Sequence, residues 1–101
     1  MNELERLKNW YVSCCDGRWE HDQGITLEPC DNPGWWLKIN LKGTGLESKK
    51  FLEISDGIGI GGHPAKESWL HCFIKDDRFD GSGDPSRLTQ IISIFLDWAG
   101  A

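Results

Sequence analysis

Apolar and polar positions along this chain repeat with two periods, and the changes of period divide it into elements. Leu4, Leu7, Trp10 and Tyr11 recur at helical spacing, which predicts an amphipathic helix over about residues 2–13. Ser13 through Gly17 ends it, with Gly17 suited to a left-handed conformation. In the stretch ITLEPCDNPGWWLKINLK, Leu37, Ile39 and Leu41 alternate with Lys38, Asn40 and Lys42, the period of a half-buried strand. The stretch reads as a hairpin, and Asn32-Pro33-Gly34-Trp35 fits a type II turn. Proline pre-sets the first central position, and glycine accepts positive φ at the second. FLEIS predicts a third strand with Leu52 and Ile54 on one face. ESWLHCFIK predicts a fourth, with Leu70, Cys72 and Ile74 inward and Trp69, His71 and Phe73 opposite. Between them, DGIGIGGHP reads as a flexible loop or a wide hairpin end. Asp84 before Pro85 marks a helix start, an N-cap followed by proline at the first helical position. Leu88, Ile91, Ile92, Phe95, Trp98 and Ala99 then form the stripe of a packed helix, which Gly100 ends.

The order is helix, four strands, helix. Short connections favour an α+β arrangement: a four-stranded antiparallel sheet with the N-terminal and C-terminal helices packed on one face. Its 101 residues suffice for a single domain spanning residues 1–101, and 39% apolar content with six tryptophans supplies a modest core. That aromatic content excludes a disordered acidic tail.

Charge adds a second layer. The net charge is −5, unevenly spread. Cys15 to Asp31 carries five acids (Asp16, Glu20, Asp22, Glu28, Asp31) against Arg18, a balance of −4. Asp76 to Asp84 carries four (Asp76, Asp77, Asp80, Asp84) against Arg78, a balance of −3. Between them, Lys38, Lys42, Lys49 and Lys50 outnumber Glu47. Two acidic loops framing a basic middle suit a basic protein partner and disfavour nucleic acid, which needs clustered positive charge. No signal-peptide pattern or membrane-length apolar run is present, so the expected compartment is the cytoplasm, where thiols stay reduced.

The chemistry-bearing residues do not assemble into a catalytic set. Cys14, Cys15, His21, Cys30, His63, His71 and Cys72 lack the paired spacing of structural zinc, so no metal or cofactor is expected. Cys15 follows a helix, where the dipole disfavours a thiolate, and Asp16, Glu20 and Asp22 oppose the help of Arg18 and His21. Glu20 and His21, read as neighbours on an extended segment, point to opposite faces and do not converge on a substrate. GIGIGG matches neither the dinucleotide nor the P-loop pattern, and DDRFDGSGD has Arg78 and Arg87 where a calcium loop needs oxygen ligands. Trp36 shares a strand face with Lys38, Asn40 and Lys42, the setting of an exposed protein-binding aromatic.

These residues also form a longer pattern. Trp10-Tyr11, Cys15-Asp16-Gly17, Trp19-Glu20-His21, Gly24-Ile25, Asp31-Asn32-Pro33-Gly34-Trp35 and Gly43-Thr44 resemble the immunity protein 53 family of bacterial polymorphic toxin systems. The resemblance continues through Trp69, Cys72, Phe79, Gly81, Gly83-Asp84-Pro85, Leu88, Phe95 and Trp98, nearly the whole chain. Cys30 stands where that pattern has leucine, and Asp22-Gln23 replaces a variable residue and an aromatic. It is weakest around Ile58 to Gly62. The resemblance implies a non-enzymatic cytoplasmic antidote that binds its cognate toxin, in many cases a nuclease or other enzyme with a basic cleft. The expected contact residues are Asp16, Glu20, Asp22, Trp36, Asp76, Asp77 and Asp80, with none catalytic. Competing readings are a small thiol-dependent sulfur-transfer enzyme using Cys15 and a tryptophan-rich adaptor.

Overall fold

In the computed structural model, which describes residues 2–101, Asn2 caps the first helix by accepting from the Glu5 N–H at 2.9 Å. This helix, α1 (Glu3–Cys14), turns Leu7 and Trp10 fully inward, with Tyr11 and Cys14 packed beside them. The inward stripe therefore runs 7, 10, 11, 14, and Leu4, expected on it, is 66% exposed. A short helix, α2 (Trp19–Asp22), follows where an extended segment was expected.

The sheet has five strands, not four: β1 (Ile25–Cys30), β2 (Gly34–Asn40), β3 (Ile54–Asp56), β4 (Leu70–Lys75) and β5 (Arg78–Gly83). They lie in the order β1-β2-β5-β4-β3, and every neighbouring pair is antiparallel. The additional strand, β5, is the central one. Its sequence RFDGSG hides it, because glycine and serine are poor strand formers. Both glycines are required by close packing. A Cβ on Gly81 would lie 2.6 Å from Ile91 Cγ2, and one on Gly83 would lie 2.8 Å from Arg87 Cβ. Asp76 and Asp77 join β4 to β5 with φ of 54° and 56°, the two positive values of a type I′ hairpin turn. What read as one acidic loop is thus a two-residue turn followed by a strand.

The β1–β2 hairpin forms as expected, but its turn is shifted. Gly34 is not a turn residue; it pairs with Cys30 inside the ladder, and the Asn32–Pro33 peptide is cis. Glycine is needed there because a Cβ would sit 2.1 Å from the Gly83 carbonyl oxygen. The third strand starts only at Ile54, and in the segment before it Phe51, not Leu52, turns inward: Leu52 is 76% exposed, whereas Phe51 meets Phe79 and Trp98 edge-on at 5.7 and 5.6 Å. DGIGIGGHP folds as a wide hairpin end, pinned by the Ile58–Pro64 bridge.

The last helix, α3 (Leu88–Ala99), is entered through a 3-10 turn, Pro85–Arg87, which Asp84 caps. Gly100 ends it with φ 78°. Helices α1 and α3 cover the same sheet face. On that face Leu37, Ile39, Leu70, Cys72 and Phe79 are buried against Leu7, Trp10, Ile91, Ile92, Phe95 and Leu96. Phe95 is the hub, 4.8 Å from Trp10 and 5.1 Å from Phe79. Each such burial stabilises by about 1.5–3 kcal/mol, and ring pairing adds about 0.5–1.5 kcal/mol. Arg6 ties the ends together, donating to Asp97 and to the Ala101 carbonyl at 3.0 and 2.7 Å. Among the described residues no α-helix covers the opposite sheet face, which is bordered at Trp36, His71 and Ser82 by the loop through Gly62, His63 and Pro64.

Candidate partner-binding face

The strand period that buries Leu37 and Ile39 sends Trp36, Lys38 and Asn40 to the uncovered face. Cross-strand pairing sets their neighbours. One row runs Thr26, Lys38, Asp80, Phe73, and the next runs Glu28, Trp36, Ser82, His71. Asp80 is only 5% exposed and fully engaged. Its Oδ1 accepts from Trp36 Nε1 at 2.5 Å, and its Oδ2 accepts from Arg78 Nε and Nη2 at 3.0 and 2.8 Å. Lys38 Nζ stands 3.7 Å over the Trp36 ring while donating to Glu28 at 2.8 Å. Trp36 is held by hydrogen bond and cation together. Trp36, Asn40, Phe73, Lys75, Asp76, Arg78 and Asp80 line one cleft of about 530 Å³.

Both acidic segments reach the same end of the sheet. Asn40 donates its N–H to the Gly24 carbonyl, just beyond α2, and Leu41 donates to the Asp77 carbonyl on the β4–β5 turn. The end of β2 lies between them. Asp22, Asp76 and Asp77 have no side-chain hydrogen bond or ion pair among the described residues. Asp22 lines a second cleft, of about 390 Å³, with Asp16, Arg18, Trp19, Gln23, Lys42 and Gly43.

Asp16 and Glu20 are different. Asp16 Oδ1 accepts from the Arg18 and Trp19 N–H groups, both at 2.9 Å. Glu20 reaches back to accept from the Asp16 and Gly17 N–H groups at 2.9 and 2.8 Å. The pair closes its turn reciprocally in the manner of a capping box. Backbone N–H donation holds both carboxyls below their ordinary pKa. Gly17 takes φ 94° in that turn, and Trp19 is carried into the core, 5.7 Å from Trp10. The motif CDGRWEH thus builds the Trp-anchored link from α1 to β1 that its sequence suggests, but Asp16 and Glu20, expected to face a partner, bond within their own turn.

The expected contact residues therefore separate into three groups. Trp36, Asp76 and Asp80 share a cleft; Asp22 and Asp77 stand beside its acidic end; Asp16 and Glu20 are bound within their own turn. Asp80 lies on a strand and is buried, not on an exposed loop. Phe73, Lys38 and Arg78 were not singled out by sequence reasoning. The alternation of β4 already put Phe73 on the open face, whereas Arg78 was hidden with its strand.

All four cysteines are free. Cys15 Sγ donates to the Tyr11 carbonyl at 3.2 Å. Burial raises the Cys14 pKa and pushes Cys72 up to about 12. Among the described residues no three His, Cys, Asp or Glu side chains are grouped to hold a metal ion. No helix among the described residues is long and apolar enough to cross a membrane.

Comparison with known families places residues 4–100 on the model described as immunity protein 53. Searches of curated proteins and of solved structures give no match.

Proposed function

The chain belongs to the immunity protein 53 family, and on that premise we propose that it neutralises a cognate protein toxin by binding it. The observation that carries this reading is the family match across residues 4–100, nearly the whole chain. The surface supports it. Three carboxylates without side-chain partners, Asp22, Asp76 and Asp77, lie on segments that meet the same end of β2, Asp76 in the aromatic cleft and Asp22 in a second one. A negative corner speeds association with a basic surface and fits over a basic active-site cleft. In this reading the protein acts in the cytoplasm as an inhibitor without catalysis of its own.

The test is growth protection. Cells expressing the toxin domain encoded beside this chain's gene survive when the chain is co-expressed. A triple reversal, Asp22→Lys, Asp76→Lys and Asp77→Lys, lowers the association rate most at low salt. Death of cells that contain soluble, folded chain overturns the proposal. Unchanged association and unchanged salt dependence in the triple variant remove the steering role.

A further inference from the structure

We infer that the uncovered sheet face is the anchor of the toxin complex, taking an apolar side chain against Trp36 and Phe73 with a lysine or arginine beside it on Asp76 and Asp77. The inference rests on the immunity reading and adds the surface and the chemistry of the segment it receives.

The charges at the centre of this face are already paired. Lys38 meets Glu28 at 2.8 Å and Arg78 meets Asp80 at 2.8 Å. Such pairing leaves no track of free cations for nucleic acid, and the half-buried rings of Trp36 and Phe73, the latter 4.9 Å from His71, supply the apolar surface of the cleft. Trp36 is fixed before any partner arrives, by its bond to Asp80 and by Lys38 above its ring. A side chain immobilised in advance loses little freedom on binding, the property that makes tryptophan a dominant contact. Phe73 stands directly across from Asp80 on β4 and lines the same cleft as Trp36. The two rings therefore flank the Asp80–Arg78 pair.

Charge decides what sits beside the apolar group. Asp76 in the cleft and Asp77 beside it lie exposed on a two-residue turn without side-chain partners among the described residues, and of the two cations that line the cleft, Lys75 and Arg78, the second is held by Asp80. This end of the cleft is net negative, so a basic residue is favoured there and an acidic one repelled. Asp80, compensated by Arg78 and Trp36, is a positioning residue that orients the ring.

The experiment measures affinity and association rate between the full chain and the toxin domain encoded beside its gene, at low and high salt. Trp36→Ala and Phe73→Ala are each expected to weaken binding by about thirtyfold or more, with circular dichroism unchanged. Trp36→Phe keeps a ring, loses the indole donor and falls between. Asp76→Lys with Asp77→Lys slows association on the order of tenfold at low salt, and the difference narrows at high salt. The Trp36 indole N–H resonance moves when the complex forms, a readout that needs no substitution. If wild type binds while Trp36→Phe and Phe73→Ala match it and the indole resonance stays put, the anchor lies elsewhere and the immunity reading stands without it. If wild-type chain shows no binding, the immunity reading fails and takes this inference with it.

Discussion

Replacing Asp84 by alanine removes four contacts from one carboxylate. Its Oδ2 accepts from the Trp69 N–H at 2.9 Å and from Arg87 Nε at 3.4 Å. Its Oδ1 accepts from the Ser86 N–H at 3.0 Å and from Ser86 Oγ at 2.5 Å. The side chain thus joins the start of β4 to the entry of α3. Loss of the cap costs about 1 kcal/mol. Leaving the Trp69 N–H buried without an acceptor costs about 1–3 kcal/mol more. The total, about 2–4 kcal/mol, lowers the melting temperature by roughly 10–25 °C for a domain of this size. Acid adds an independent check. Hydrogen bonding from Ser86, then from the Trp69 and Ser86 N–H groups and Arg87, holds the Asp84 pKa down to about 2. A depressed pKa means that this contribution is complete above the ordinary carboxylate range, near pH 4, and fades as pH falls toward 2. Wild type therefore loses stability over that interval more steeply than Asp84→Asn, which keeps an acceptor but does not titrate. Thermal melts followed by circular dichroism from pH 7 to pH 2 measure both effects. An Asp84→Ala variant melting within about 3 °C of wild type at pH 7 would refute the reasoning, as would identical acid profiles for wild type and Asp84→Asn.

Gly34→Ala pushes a methyl group to 2.1 Å from the Gly83 carbonyl oxygen, and backbone cannot yield as a side chain can. Destabilisation of about 3 kcal/mol is expected in urea unfolding. Asp16→Asn with Glu20→Gln weakens the charge-assisted bonds of the α1–β1 link, so the melting temperature falls and hydrogen exchange quickens at Gly17 to Trp19. Cys15→Ser leaves toxin protection intact, because its thiol makes local contacts with Tyr11 that a hydroxyl can keep. Cys72, wholly buried with its pKa raised to about 12, resists iodoacetamide in the native protein and reacts on unfolding. Rapid native alkylation at Cys72 would contradict the packing described.

The helices and the first hairpin were legible because their signals are local. Periodic apolar residues and the Asp84-Pro85 start need no knowledge of distant contacts. The fifth strand was illegible for the converse reason. Gly81 and Gly83 look like loop residues until Ile91 and Arg87 are packed over them, and only tertiary structure shows that no larger residue fits. Gly34 was misread in the same way, as a turn glycine when its role is close approach of β2 to β5. Leu4 and Leu52 fitted their stripes by spacing, yet both are exposed, while Leu7, Trp10 and Phe51 pack inward. At the candidate site, period alone placed Trp36 and Phe73 on the open face. Composition could not separate free carboxylates from engaged ones. Asp22, Asp76 and Asp77 read the same as Asp16, Glu20 and Asp80 until each oxygen is traced to its donor. The CDGRWEH motif shows this most clearly: its acids bond their own turn, and its tryptophan belongs to the core.

The central claim, that this chain inhibits a protein toxin by binding it, is tested most directly by titration. Purified toxin domain encoded beside this gene is assayed for its own activity against increasing amounts of the chain. The account predicts that activity falls to background at an equimolar ratio, and that the Trp36→Ala variant needs a large excess to do the same. Full toxin activity in the presence of excess folded wild-type chain would contradict it.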